Sequence, residues 1–269
     1  MGKLKLFQVD SFTGQMFKGN PAGVCILTHD IPAETMQAIA MEMNLSETAF
    51  VRREGLEHRL RWFTPTNEVT LCGHATLAAA HVLFNHVGLK AHEIKFQTKS
   101  GLLMARKSTG GITLDFPIGN PEPTTLPEPI FDSLGIAHID IEATLFCRTR
   151  NKFLVHLKDP SLIPEIKPDF GRMLEYQPSE LIGVIITAKG EKHDFISRFF
   201  APWVGVNEDP VTGSSHTVLA PYWSKLLGKT KMSAYQASKR GGEMAVELKG
   251  ERVFLTGKAV TVFETEIDL

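Results

Sequence analysis

Over most of the chain, apolar and polar residues alternate in short runs, the period-two pattern of half-buried strands. Strand content recurs at Lys5–Ser11, Gly23–Leu27, Ala49–Arg53, Arg59–Phe63, Glu93–Thr98, Leu102–Arg106 and Ile112–Phe116. It resumes at Ala143–Arg148, Phe153–Leu157, Leu181–Thr187, Phe195–Phe200, Glu243–Leu248 and Arg252–Gly257, and closes with Ala259–Glu266. The helical period appears at Ala33–Met43, Ala75–His86 and Ser215–Leu227, with weaker signals from Ser133–Leu134 onward and at Asp169–Tyr176. Ala75-Thr76-Leu77-Ala78-Ala79-Ala80 is small and apolar on nearly all sides, the signature of a buried helix rather than a surface one. Short strands at this density, with few helices, predict an α+β fold built on curved mixed sheets, each wrapped around a central helix.

The alternation is interrupted once, at PIGNPEPTTLPEP from Pro117 to Pro129. Prolines at this density exclude a helix interior or a central strand, so the stretch reads as an extended linker. It divides the chain into an N-terminal lobe, 1–117, and a C-terminal lobe, 118–269, with the last strand free to cross back to the first lobe. Both halves contain the same phrase. Arg61-Trp62-Phe63-Thr64-Pro65 leads, eight residues after its proline, to Gly73-His74-Ala75-Thr76. Ser197-Arg198-Phe199-Phe200-Ala201-Pro202 leads, eleven residues after its proline, to Gly213-Ser214-Ser215-His216. Each is an apolar strand, a proline turn, a glycine and a small-residue helix, so the architecture reads as duplicated.

With 269 residues, 43% hydrophobic, and 29 Lys and Arg against 30 Asp and Glu, the chain is ordinary globular material. The near-neutral balance offers no general attraction to nucleic acid or anionic membrane. No apolar run approaches the length of a membrane span, and the first ten residues lack the regions of a signal peptide. Cys25, Cys72 and Cys147 follow no metal-ligand or disulfide spacing, which suits a reducing cytoplasm.

The candidate chemistry gathers at the two glycine-helix junctions. Gly73 and Gly213 lack Cβ, so first-turn amides can approach an anion closely, although each glycine would serve equally well to permit a tight turn. Glu47 stands at the entrance to an apolar strand, where partial desolvation would suit a general acid/base; local bonding by Ser46 and Thr48 with Glu47 exposed is the alternative. His74 is placed to reach a ligand at the first helix end. His74 and His81 are roughly 10 Å apart along a helix and no HExxH pattern is present, so no metal is expected. Asp209 and Ser214 precede and open the second helix, as ligand-binding groups or as dipole partner and cap. There is no GxSxG elbow, no GxxxxGK[ST] loop and no GxGxxG fingerprint.

Taken together, the blocks Val9–Thr13 with Phe17–Ala22, Ser46–Phe50, Arg61–Pro65 with Cys72–Thr76, and Asp209–Ser214 resemble the PhzF family of phenazine biosynthesis-like isomerases. That resemblance implies a diaminopimelate epimerase-like fold, two similar lobes with a cleft between them, and a proton shift without a cofactor. In the family's best-understood members a glutamate moves a proton between carbons of a dihydro-hydroxyanthranilate. Carried onto this chain, Glu47, His74 and Asp209 become catalytic. Gly73, Ala75, Gly213 and Ser214 become substrate-binding, and the substrate becomes a small cyclic or amino carboxylic acid. A cytoplasmic homodimer is also implied. Related epimerases use two facing thiols; Cys72 matches the first, and no thiol stands near Asp209 for the second. Cys72 therefore reads as packing. The alternatives are an amino-acid epimerase or racemase using Glu47 with Cys72, and a catalytically silent acid-binding protein of the same fold.

Overall fold

The computed structural model describes residues 2–269. The chain forms two compact units: one runs to Phe116 and resumes at Phe254–Leu269, the other is Pro117–Val253. The first unit comprises β1 (Lys3–Ser11), β2 (Asn20–Leu27), α1 (Ala33–Met43), β3 (Glu47–Glu54), β4 (Glu57–Phe63), β5 (Glu68–Val69), α2 (Gly73–Asn85), β6 (Glu93–Thr98), β7 (Gly101–Ser108) and β8 (Gly111–Pro117). The second begins with β9 (Glu122–Pro123), α3 (Glu128–Leu134), β10 (Ile141–Cys147), β11 (Lys152–Leu157) and α4 (Phe170–Met173). It continues with β12 (Gly183–Lys189), β13 (Phe195–Ala201), β14 (Val206–Glu208), α5 (Gly213–Leu227), β15 (Lys231–Gln236), β16 (Gly242–Lys249) and the start of β17 (Arg252–Gly257). The final strand, β18 (Ala259–Asp268), pairs antiparallel with β1. Residues 254–269 belong with the first unit.

The pairing pattern occurs twice. In the first unit β1/β2 is antiparallel, β2/β3 parallel, β3/β4 and β4/β5 antiparallel, β4/β6 parallel and β6/β7 antiparallel. In the second, β10/β11, β11/β12, β12/β13, β13/β14, β13/β15 and β15/β16 follow with the same senses in the same order. A parallel pair needs a long crossover. Each unit supplies helical turns between its first parallel strands, and its buried helix between the second pair.

The buried helices are the centres of these units. All of 74–80 in α2 is buried, and the helix touches β1, β2, β3, β7 and β18. One helix can reach strands from both ends of the sheet order only if the sheet curls around it. The burial of Leu77, Val82, Leu83 and Phe84 stabilises this packing by roughly 1.5–3 kcal/mol each. In the second unit Trp223 of α5 stacks on Phe195 of β13 at 5.7 Å, and its Nε1 donates to Thr187 Oγ1 of β12 at 3.0 Å. Tyr222 of α5 bonds His156 of β11 at 2.8 Å.

Each sheet also has an outer face. Leu4, Leu6, Cys25, Leu27 and Phe50 pack under Met36, Ile39 and Ala40 of α1. Phe153, Val155, Leu157, Val184 and Ile186 pack with Ile130 and Leu134 of α3 and Met173 of α4. Because side chains alternate across a strand, the intervening residues, Lys152 and Leu154 among them, face α5.

The proline-rich stretch is not wholly linker. Glu122 and Pro123 pair with Phe146 and Leu145, and α3 begins at Glu128, earlier than Ser133, with Pro129 in its first turn. A first-turn proline surrenders no helical hydrogen bond and has the right φ. Gly135, at φ 63°, ends the helix where continuation was expected.

Candidate active site

Glu47 is the first residue of β3, paired with Ala22 of β2. His74 is the second residue of α2 and is buried. His74 Nε2 lies 3.2 Å from Glu47 Oε2, and both atoms are shielded from solvent. The other imidazole nitrogen, Nδ1, lies 3.2 Å from Asn20 Nδ2. Ser46 Oγ donates to Asn20 Oδ1 at 3.4 Å, which orients that amide with its nitrogen toward the ring. An amide nitrogen only donates, so the network assigns Nδ1 as acceptor and places the ring hydrogen on Nε2, the atom facing Glu47. In this tautomer Nε2–H stands beside the carboxylate at 3.2 Å, within ion-pair distance but not in the alignment of a hydrogen bond.

The arrangement is fixed by its neighbours. Ser11 Oγ donates to the His74 carbonyl at 2.8 Å, tying α2 to the end of β1. Asn20 follows Gly19, whose φ is 63° and whose Cβ, if present, would meet the Ser11 carbonyl at 2.1 Å. Only glycine fits there. Residues 20–23 form the start of β2.

Cys72, the N-cap residue of α2, makes no side-chain cap; its Sγ is 3.5 Å from His74 Nδ1. Ligand atoms of Glu47, Cys72 and His74 all lie within 4.8 Å of one another, a carboxylate, thiol and imidazole set that could hold a cation. The sequence spacing does not reveal this cluster, because β3 and the start of α2 are brought together only by the fold.

The second unit carries the other candidates. Thr212 Oγ1 donates to Asp209 Oδ2 in a short bond. Gln236 Oε1 accepts from Thr212 N at 2.8 Å, and its Nε2 donates to the Asp209 carbonyl at 2.7 Å. Asp209 is thereby clamped to the N-cap of α5. Ser214 Oγ accepts from Lys152 Nζ at 2.6 Å. Neither α2 nor α5 has a side-chain N-cap bond, so neither cap competes for the first-turn amides near Gly73, Ala75, Gly213 and Ser214. Neither Gly73 nor Gly213 has positive φ, so turn conformation does not require them.

Asn20, Gln236 and Lys152 are the site neighbours that sequence reasoning overlooked. Lys152 carried one signal: a lysine directly before the apolar run Phe153-Leu154-Val155.

A shell of the same chemistry supports each junction. Arg61 forks onto Glu68 at 2.8 and 2.9 Å and stacks 5.0 Å from Phe63. Arg198 forks onto Glu208 at 2.7 and 3.0 Å and stacks 4.8 Å from Phe200. Hydrogen bonds from Arg61 hold the Glu68 carboxyl down at about 2. Thr76 Oγ1 donates to the Cys72 carbonyl at 2.5 Å, and His216 Nδ1 bonds the Thr212 carbonyl at 2.8 Å. Burial pushes His216 down to about 4.

A duplicated fold of curled sheets around buried helices, with a carboxylate and an imidazole at one helix entrance, defines an enzyme of the epimerase and isomerase class. The protein is similar to a predicted epimerase of Pseudomonas aeruginosa, with a TM-score of 0.75 over 98% of both chains at 18% identity, a likeness of fold. The phenazine biosynthesis-like PhzC-PhzF family matches residues 9–265, and the chain belongs to that family. It is 47% identical to an uncharacterized isomerase of Pseudomonas aeruginosa over 96% of each chain. It is also similar to the crystal structure of a PhzF-family protein of Enterococcus faecalis, with 41% identity, complete coverage of both chains and a TM-score of 0.94.

Proposed function

We propose that the protein is a PhzF-type isomerase that shifts a proton between carbons of a small cyclic or amino carboxylic acid without a cofactor. Glu47 is its general acid/base. The approach of Glu47 Oε2 to His74 Nε2, 3.2 Å apart and both shielded from water, is the observation that carries this reading. A carboxyl that takes a proton from one carbon and returns it to another must work in both directions. Through Nε2–H, His74 stabilises the carboxylate when it is empty, and Asn20 keeps the imidazole in the required tautomer. First-turn amides of such a helix end bind a carboxylate and stabilise charge that develops beside it as the carbon loses its proton, and the Ser214 hydroxyl at the start of α5 is an acid ligand of the same kind. Asp209, clamped to Thr212, is a substrate anchor or proton relay. The same reading places the enzyme in the cytoplasm as a homodimer. Among the described residues, no helix is long and apolar enough to cross a membrane.

One observation favours a second reading. Cys72 Sγ, 3.5 Å from His74 Nδ1, could serve as a second base in an epimerase. Incubating the protein in D₂O with dihydro-hydroxyanthranilate and a panel of cyclic and amino acids, followed by NMR, separates the possibilities. A deuterated positional isomer supports the proposal. Inversion at a stereocentre that disappears in Cys72→Ala supports the epimerase, and binding without any exchange points to a silent acid-binding protein.

A further inference from the structure

Superposing the two pairing registers exposes a substitution of charge. In the first unit the parallel pair β2/β3 has Ala22 opposite Glu47; in the second, the parallel pair β11/β12 has Lys152 opposite Gly183. The equivalence is fixed by the antiparallel neighbours: Thr48 opposes Phe63 and Val184 opposes Phe200, so Glu47 corresponds to Gly183 and Ala22 to Lys152. Each unit therefore places one ionisable side chain on this rung, next to the second residue of its buried helix. In the first it is a carboxylate facing His74; in the second it is an amine facing Ser214. A carboxylate cannot occupy the second unit's version, because a Cβ on Gly183 would stand 2.6 Å from the Phe199 ring and 2.4 Å from the Phe200 carbonyl.

Lys152 is almost wholly buried, at 2% exposure. Its Nζ donates to Ser214 Oγ at 2.6 Å and Ser215 Oγ at 3.2 Å and lies 4.1 Å from the centre of the Phe199 ring. A buried amine of this kind costs stability, and the proton shift proposed above makes no use of it. We propose that Lys152 is a positioning residue that compels the Ser214 hydroxyl to donate its hydrogen to an acid held at the first turn of α5. The inference rests on the acid-binding reading of that helix end.

The argument is one of hydrogen counting. An ammonium has three hydrogens and no lone pair, so both serine hydroxyls must accept from it. The hydrogen of Ser214, which is half-buried, is then directed away from Lys152, alongside first-turn amides that also donate. A neutral amine could instead accept from Ser214 and would turn that hydrogen inward. The charge state of Lys152 thus selects whether Ser214 offers an anion a hydrogen or a lone pair. Burial pulls Lys152 down to about 7, Asp209 and Cys147 favour its charged form, and Arg150 opposes it. His216, pushed down to about 4 by burial and partly by Lys152 itself, adds no positive charge near neutrality.

The test uses full-length protein with ¹³Cε-lysine, anthranilate as the acid probe and anthranilamide as its uncharged isostere. In the wild type, saturating anthranilate should raise the Lys152 midpoint by about one unit, and the amide should leave it unmoved. Anthranilate should bind more weakly as pH rises through that midpoint. Lys152→Met should weaken anthranilate by about tenfold, with the amide nearly unaffected, and Lys152→Arg should restore acid binding. Ser214→Ala should add little to Lys152→Met in a double-mutant cycle. Anthranilate that binds without moving the Lys152 midpoint overturns the inference and leaves the isomerase reading intact. So does a Lys152→Met protein that loses acid and amide affinity equally, the mark of a packing role. Should Lys152→Met not fold, the wild-type midpoint decides. If anthranilate and the other acids of the panel do not bind the wild type at all, the acid-binding reading fails and takes this inference with it.

Discussion

The two units have the same strand pairings, the same Arg–Glu forks and the same buried helix behind a glycine, yet they differ in what stands at the helix entrance. The first has Glu47 and His74, the second Lys152 and Ser214. One fourth helical residue is Thr76, the other His216. Duplication supplies the frame twice, and a few substitutions at one rung leave one copy with a carboxylate beside an imidazole and the other with an amine beside a hydroxyl, in the proposed function a proton carrier and a donor for anions. The lesson is that two copies of one frame differ in which rung residue is charged and in what space its opposite number leaves.

Exchanging residues between the copies tests this. His74→Ser, which gives the first unit the second unit's residue, should lower deuterium exchange into substrate by about a hundredfold and leave binding of the acid within a few fold. Unchanged exchange would show that the imidazole is not part of the proton path. The Arg–Glu forks should differ in worth, because Arg198 also donates to the carbonyls of Ile163 and Ile166 at 3.0 and 2.7 Å. By urea denaturation, Arg198→Met should cost about 3 kcal/mol and Arg61→Met about 1–2 kcal/mol. Equal losses would mean that the extra carbonyl bonds contribute nothing.

The fourth-residue difference makes acid stability asymmetric. His216 is held down to about 4 in the folded state against an ordinary value of 6.5, so the unfolded chain takes up the proton first. Its contribution is complete above pH 6.5 and is lost as pH falls toward and through 4, by roughly 3 kcal/mol. His216→Thr, borrowing the first unit's residue, should flatten that acid limb. A limb equally steep in the variant would assign the effect elsewhere, with His81, also held down to about 4 by burial, the next residue to test.

Lys152 acts in the opposite pH direction. Its folded value of about 7 lies below its ordinary 10.5, so the unfolded chain binds the extra proton between those values and stability rises with pH across them. At pH 6, where the buried amine is charged, Lys152→Met should raise stability by roughly 1–2 kcal/mol, and it should remove the alkaline rise. A Lys152→Met protein less stable than wild type at pH 6 would show that the amine's hydrogen bonds outweigh its desolvation.

Much of this frame was legible in the residues. Alternation marked most strands, and the two glycine-helix phrases announced the duplication before any register was known. The short strands Glu68–Val69 and Val206–Glu208 were not visible, because two or three residues carry no period; they exist to carry the glutamates that meet Arg61 and Arg198. Lys231–Gln236 was hidden by polar and small residues in a strand whose buried positions are Met232, Ala234 and Gln236. Glu47 and His74 could be singled out from their local settings, but their approach depends on β3 and α2 meeting in space. Lys152 was missed because a lysine before an apolar strand ordinarily reaches water. Only the register, which places it opposite Gly183 and under the first turn of α5, shows that it does not.

The proton path is tested most directly by Glu47→Gln, which keeps the size and a hydrogen-bonding oxygen and removes the exchangeable charge. In D₂O with an acid that the wild type isomerises, the account predicts that Glu47→Gln still binds the acid but incorporates deuterium at least a thousandfold more slowly, at the order of magnitude expected for loss of a general acid/base. Incorporation at the wild-type rate would contradict it.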